Sequence, residues 1–150
     1  MHKDINRLLT DFGNYLGLES LALDENDYCC LTFDDIYLNI EAVGEGSAVL
    51  IYSSLGVVPE DAGAEVYKRL LEANYFFHKT SGGTIGLEAG TGLVAMTQLV
   101  DTANMELSDW EAVVKGFVDS AEACTELFNA VPGSAQPMAT PPSFDHTTLA

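Results

Sequence analysis

Apolar residues follow two rhythms along this chain, one of three to four residues and one of two, and together they divide it into eight elements. Ile5, Leu8, Leu9, Phe12 and Leu16 form one stripe of an amphipathic helix, which Tyr15 widens and Gly17 can end as a C-cap. After the connector Leu18 to Asp27, Tyr28 to Phe33 has strand-type residues, and Asp34-Asp35 suits a tight turn. From Ile36 to Val43 the period is two: Ile36, Leu38, Ile40 and Ala42 face one way, Tyr37, Asn39, Glu41 and Val43 the other. Gly44-Glu45-Gly46 turns the chain into Ser47 to Leu55, whose run AVLIY predicts a central strand covered on both faces.

Gly56 and Pro59 are expected to break that strand, and Glu60-Asp61 put negative charge at the start of a second helix, Ala62 to Tyr75. This helix carries Val66, Tyr67, Leu70, Leu71 and Asn74 and runs into Phe76 and Phe77, more apolar surface than a helix end normally leaves uncovered. A hairpin follows. Ile85, Leu87 and Ala89 alternate with Thr84, Gly86 and Glu88, Gly90-Thr91-Gly92 allows the reversal, and Leu93 to Val100 is the return strand. Ser108-x-x-Glu111 reads as a capping box with Leu107 and Ala112 placed for a hydrophobic staple. Behind it, Trp110, Val113, Val114, Phe117, Ala121, Cys124 and Phe128 continue a stripe for about five turns. From Val131 the composition turns to Pro, Ser, Thr and Ala, which predicts a mobile tail over 131–150 after a single folded domain over 1–130. The expected order is α-β-β-β-α-β-β-α, an α+β fold with a twisted antiparallel sheet and three helices.

Charge narrows the partners. With 23 acidic and six basic residues the formal net charge is −17, which disfavours nucleic acid and anionic membrane surfaces. At 47 % hydrophobic residues the chain is nevertheless no disordered acidic segment, so the charge keeps an apolar globular protein soluble or steers a basic partner. Three cysteines, two of them adjacent at Cys29 and Cys30, make a poor disulfide framework and fit a reducing compartment. The start of the chain lacks the apolar core of a signal peptide, and nowhere do eighteen apolar residues run together.

Catalytic patterns fail one by one. The loop Ser81 to Gly86 is glycine-rich, but it lies between a helix and a strand and lacks the lysine of a phosphate-binding loop. Cys29-Cys30 lacks the spacer of a zinc site, and His2, His78 and His146 are scattered. No enzyme, metal or cofactor is indicated. The residues favour a protein-binding module with more apolar faces than one small layer hides.

The order of phrases resembles the class I type III secretion chaperones, the Tir chaperone family. The phrases are LLTDFGNYLGL, YCCLTFDDIYLNI, LLEANYFF, GGTIGLEAGTGLVAMTQLV and FVDSAEACTELF, together covering about Asp4 to Phe128. The helix-to-hairpin phrase, LLEAN with an aromatic pair and a glycine-rich loop, is the most specific. This resemblance implies a homodimer in the bacterial cytoplasm that binds the N-terminal segment of one or a few secreted effectors in extended form, with no nucleotide. The secretion-associated ATPase is a further candidate partner. It implies a dimer contact at Tyr67, Leu70, Leu71, Asn74, Phe76 and Leu87. It also implies an effector groove at Ile5, Leu9, Phe12, Leu31, Phe33, Leu38 and Ile40, with a strand added at the sheet edge. Two features depart from the family pattern: the tail from Val131, and Cys124 after Ala123 where a bulky aromatic is common. The alternative is a regulatory protein that sequesters a transcription factor or a component of the secretion apparatus.

Overall fold

A computed structural model describes residues 2–131. The chain runs α1 (Lys3–Leu16), β1 (Tyr28–Phe33), β2 (Ile36–Ala42), β3 (Ala48–Val57), α2 (Ala64–Asn74), a 3-10 turn (Tyr75–Phe77), β4 (Thr84–Leu87), β5 (Leu93–Asp101) and α3 (Leu107–Asn129). The α+β order expected from the periodicities is the order found. Five antiparallel strands form one sheet in the spatial order β1-β2-β3-β5-β4, so α2 is the crossover that carries the chain from β3 to the far edge. Consequently, among the described residues, β1 and β4 are the edges, each paired on one side only.

Alternation sorts the side chains. Cys29, Leu31, Leu38, Ile40, Val49, Ile51, Val94, Met96 and Val100 are buried toward the helices. Against them pack Ile5, Leu8, Leu9 and Phe12 of α1, Val66, Leu70 and Ala73 of α2, and Trp110, Val114, Phe117, Ala121, Cys124 and Phe128 of α3. Phe12 meets Trp110 edge to face at 6.3 Å between ring centres and locks α1 to α3. Gly17 ends α1 in the left-handed conformation at φ 78°, as its position in the sequence predicts.

The structure corrects several local readings. Helices cover only one face of β3. On the other face Leu50 and Ser54 are half-buried, whereas Tyr52 is buried beside its cross-strand neighbours and donates its hydroxyl to Glu41 Oε2 at 3.0 Å. Strand β3 also runs past Gly56, because the register shifts between Ser54 and Gly56 and glycine accepts the φ of 142° that this bulge requires. The cap of α2 is Gly63, two residues after the acidic pair Glu60-Asp61. The box that opens α3 is formed by Glu106 and Asp109, not Ser108 and Glu111, since the helix already begins at Leu107; Glu106 N–H donates to Asp109 Oδ2 at 3.2 Å. Val131, the first residue of the predicted tail, is buried in the core. The rest of the predicted tail lies outside the described residues.

Gly56 also marks the tightest approach of α3 to the sheet. A Cβ there would stand 2.6 Å from Phe128 Cε1. Both the contact and the positive φ reject a side chain, so Gly56→Ala should cost about 2–4 kcal/mol of folding stability. Urea unfolding is the check, and an unchanged midpoint would mean that Phe128 yields freely.

Candidate functional site

Two apolar surfaces remain open. The first is a groove of about 470 Å³ between α1, α3 and the end of β1. Phe12, Tyr15 and Leu16 supply one wall, Val114 and Val118 the other, and Phe33 closes it toward the sheet. Its rim is polar: Ser108, Glu111, and Lys115 paired with Asp119 at 2.6 Å. On α1 the groove wall continues one turn past the Phe12–Trp110 contact to Tyr15, which is 65 % exposed. Beside it runs the unpaired edge of β1.

Of the residues assigned to an effector groove, Phe12 and Phe33 line this cavity, Phe12 as buried floor and Phe33 half-buried. Ile5, Leu9, Leu31, Leu38 and Ile40 are buried in the core instead. The wall from α3 was missed. Its signal was present as Ala112, Lys115 and Val118, a flank of the α3 stripe with the same helical spacing as the core positions.

The second surface lies at the other end of the molecule. Tyr67, Leu71 and Tyr75 recur every fourth residue on the outer face of α2 and are 37, 70 and 69 % exposed; Phe76, Phe77 and Leu87 extend the patch at 81, 56 and 52 %. Four of the six residues assigned to a dimer contact, Tyr67, Leu71, Phe76 and Leu87, are therefore on one exposed patch. The other two have inward roles. Leu70 is buried in the core, and Asn74 binds the backbone of β4, accepting from Ile85 N–H at 2.9 Å and donating to Ile85 C=O at 3.2 Å. This clamp fixes the edge strand to the end of α2. A second cavity, about 360 Å³, lies beside Tyr67 and Leu87, between β3's end and the β4–β5 hairpin. Gly92 permits this close passage, because a Cβ there would strike the Val58 carbonyl.

Burial raises three thiols and, to higher values still, the hydroxyls of Tyr28 and Tyr52. Burial pushes Cys29 up to about 12, with the neighbouring Cys30 adding to it, and burial also raises Cys30 and Cys124. These are protonated packing residues rather than nucleophiles. His2, assigned to a chain end by position, is buried 3.5 Å from Asp27 Oδ2 and caps α1 through its carbonyl. Among the described residues no helix is long and apolar enough to cross a membrane.

A one-sided sheet, an apolar groove beside an open strand edge and an exposed aromatic helix face together define a protein-binding module. The chain matches the model of the Tir chaperone protein (CesT) family over residues 7–125 and belongs to that family of class I type III secretion chaperones. It is 27 % identical over 119 residues to the transcriptional anti-antiactivator ExsC of Pseudomonas aeruginosa, covering 79 % of this chain and 81 % of that one. It is 30 % identical over 112 residues to the Tir chaperone of Escherichia coli O157:H7, covering 72 % of this chain and 71 % of that one. Among solved structures it resembles the ExsC–ExsE complex at TM-score 0.70 and 26 % identity, over 85 % of this chain and 96 % of the other. It shares its fold with a chain of the HopA1–SchA chaperone–effector complex at TM-score 0.68 and 17 % identity, over 83 % and 95 %.

The thiol shift has a measurable consequence. Between the ordinary thiol value of 9.0 and about 12 the unfolded chain releases the Cys29 proton while the folded chain keeps it, so stability is whole below pH 9 and falls as pH rises above it. At pH 8.5 alkylation of Cys29 in the native protein should run at least roughly 100-fold slower than in urea, because burial keeps the thiol protonated and out of reach. Equal rates by mass spectrometry would contradict a buried Cys29.

Proposed function

We propose that this protein is a cytoplasmic chaperone that, as a homodimer, binds the N-terminal segment of one or a few type III secreted effectors in extended form and keeps them competent for secretion. The observation that carries this reading is the pairing of the α1–α3 groove with the unpaired β1 edge: an extended chain can add a strand to the edge and set alternate apolar side chains into the groove. Family membership supports it, as do the similarity to the Tir chaperone and the fold shared with a chain of the HopA1–SchA chaperone–effector complex. The net charge of −17 keeps an apolar carrier soluble and argues against nucleic acid as a partner. Dimerisation uses the Tyr67–Leu71–Tyr75 face of α2, and handover to the secretion-associated ATPase is the step expected to follow capture.

A second reading is regulatory sequestration, favoured by the similarity to the anti-antiactivator ExsC. The two readings differ in what is captured. Co-expression with secreted proteins encoded beside this gene should recover the N-terminal segment of an effector, whereas recovery of a transcription regulator or an apparatus component in its place would favour sequestration. Tyr15→Asp with Ala112→Asp places carboxylates on exposed groove positions without disturbing the core, and should weaken capture at least tenfold, about 1.4 kcal/mol. Undiminished capture by the folded double variant would remove the groove from the proposal.

Leu71→Asp should convert the dimer to monomer, since a carboxylate at the centre of an apolar interface has no partner. Light scattering is the check, and an unaltered dimer would contradict the α2 interface.

A further inference from the structure

We propose that Phe76 of each copy seats in the cavity beside Tyr67 and Leu87 of a second copy, with Lys79 meeting the acidic rim of that cavity. This inference rests on the α2 dimer proposed above and adds to it a reciprocal aromatic anchor.

The anchor is visible in one copy. Phe76 and Phe77 adopt φ of 47° and 57°, a left-handed conformation that non-glycine residues avoid. The segment is held there by bonds around it: Asn74 grips Ile85, Lys79 N–H donates to Ala73 C=O at 3.1 Å, and His78 N–H donates to Tyr75 C=O at 2.9 Å. Strain maintained in this way points to a function for the conformation. Its result is a phenyl ring 81 % exposed, backed by Tyr75 at 4.5 Å between ring centres.

The receptor is visible too. The cavity beside Tyr67 has an apolar floor of Val57, Val58, Pro59 and Leu87, and Glu60 and Glu88 stand on its rim. Its volume of about 360 Å³ is ample for an aromatic side chain. Charge on the two parts is complementary. Lys68, Arg69 and Lys115 each pair with a carboxylate one turn away on their own helix, whereas Lys79, three residues after Phe76, makes no ion pair among the described residues.

Symmetry connects the two. In an isologous contact between antiparallel α2 helices centred on Leu71, residues equally spaced on either side of 71 face each other, so Tyr67 of one copy lies opposite Tyr75 of the other. The residue just beyond Tyr75 is Phe76. The cavity just beyond Tyr67 is the one bounded by Pro59 and Leu87. One two-fold axis therefore brings both rings toward both cavities, and it sets the two helix ends at Tyr75 about 12 Å apart along the helix direction, eight residues at 1.5 Å each, with the two Phe76 rings beyond them.

A double-mutant cycle tests this. By sedimentation equilibrium, Phe76→Ala and Leu87→Ala should each weaken the dimer at least tenfold, and the double variant should be weaker than either single variant by less than the product of the two effects, because both remove the same contact. Raising salt from 0.05 to 0.5 M screens the repulsion between two chains of net charge −17 in every variant, so the parent dimer should tighten less than the Lys79→Ala dimer, the difference reporting the Lys79–carboxylate contact. Cross-linking gives a readout that does not depend on affinity: a Phe76→Cys copy mixed with a Thr91→Cys copy should form a disulfide, and Phe76→Cys alone should not link to itself. A Phe76→Ala dimer as tight as the parent, or self-linking of Phe76→Cys, would overturn the anchor while leaving the α2 dimer standing if Leu71→Asp is still monomeric. A parent chain that is monomeric at 100 times the concentrations used for capture would overturn both.

Discussion

One long helix lying on a sheet wider than itself is the constraint from which the rest of this structure follows. Five strands about 4.8 Å apart span roughly 20 Å, while a helix with its side chains is about 10 Å across. Helix α3 takes the middle, with Trp110, Phe117 and Phe128 fully buried and Gly56 cleared of a side chain so that Phe128 can descend onto β3. The flanks must be covered separately. Helix α1 covers the β1 side and α2 the β4 side, and each leaves a seam. The groove at Tyr15 and Val118 is the seam between α1 and α3, and the cavity at Tyr67 and Leu87 is the gap between α2, the end of β3 and the β4–β5 hairpin.

Placing the seams at opposite edges separates two tasks. Near β1 the seam adjoins an unpaired strand edge, which offers main-chain hydrogen bonds to an extended segment. Near β4 it adjoins the exposed stripe of α2, which suits a self-complementary contact. A protein that leaves Leu71, Phe76 and Leu87 in water needs a means of staying soluble, and 23 acidic residues against six basic ones provide it.

The fold was largely legible in the sequence because its two periodicities rarely conflict. Ile36 to Ala42 alternates cleanly and is a strand; Trp110 to Phe128 keeps a helical stripe and is a helix. Where reading failed, the deciding fact was a distance along space rather than along the chain. Gly56 looked like a strand breaker, yet it is the residue that lets the strand continue beneath Phe128. Ser108 and Glu111 have the spacing of a capping box, and so do Glu106 and Asp109; only the position of the first helical residue selects between them. The site was half legible. A stripe tells which residues are apolar, not whether another element lies on top, so Leu9 and Leu38 could not be told from Phe33, nor Leu70 from Leu71. Tyr15, which broadened its stripe beyond what a core face needs, was the usable signal for the groove.

The central claim is that an extended segment of a secreted protein occupies the β1 edge and the α1–α3 groove together. Backbone hydrogen exchange, followed residue by residue in the free chain and in its complex with a captured N-terminal segment, tests it most directly. Fast exchange is expected in the free chain for those amides of Tyr28–Phe33 that do not pair with β2, with strong protection of the same amides in the complex and shifted side-chain signals at Tyr15 and Val118. A tight complex that leaves the β1 amides and both groove residues unchanged would contradict it.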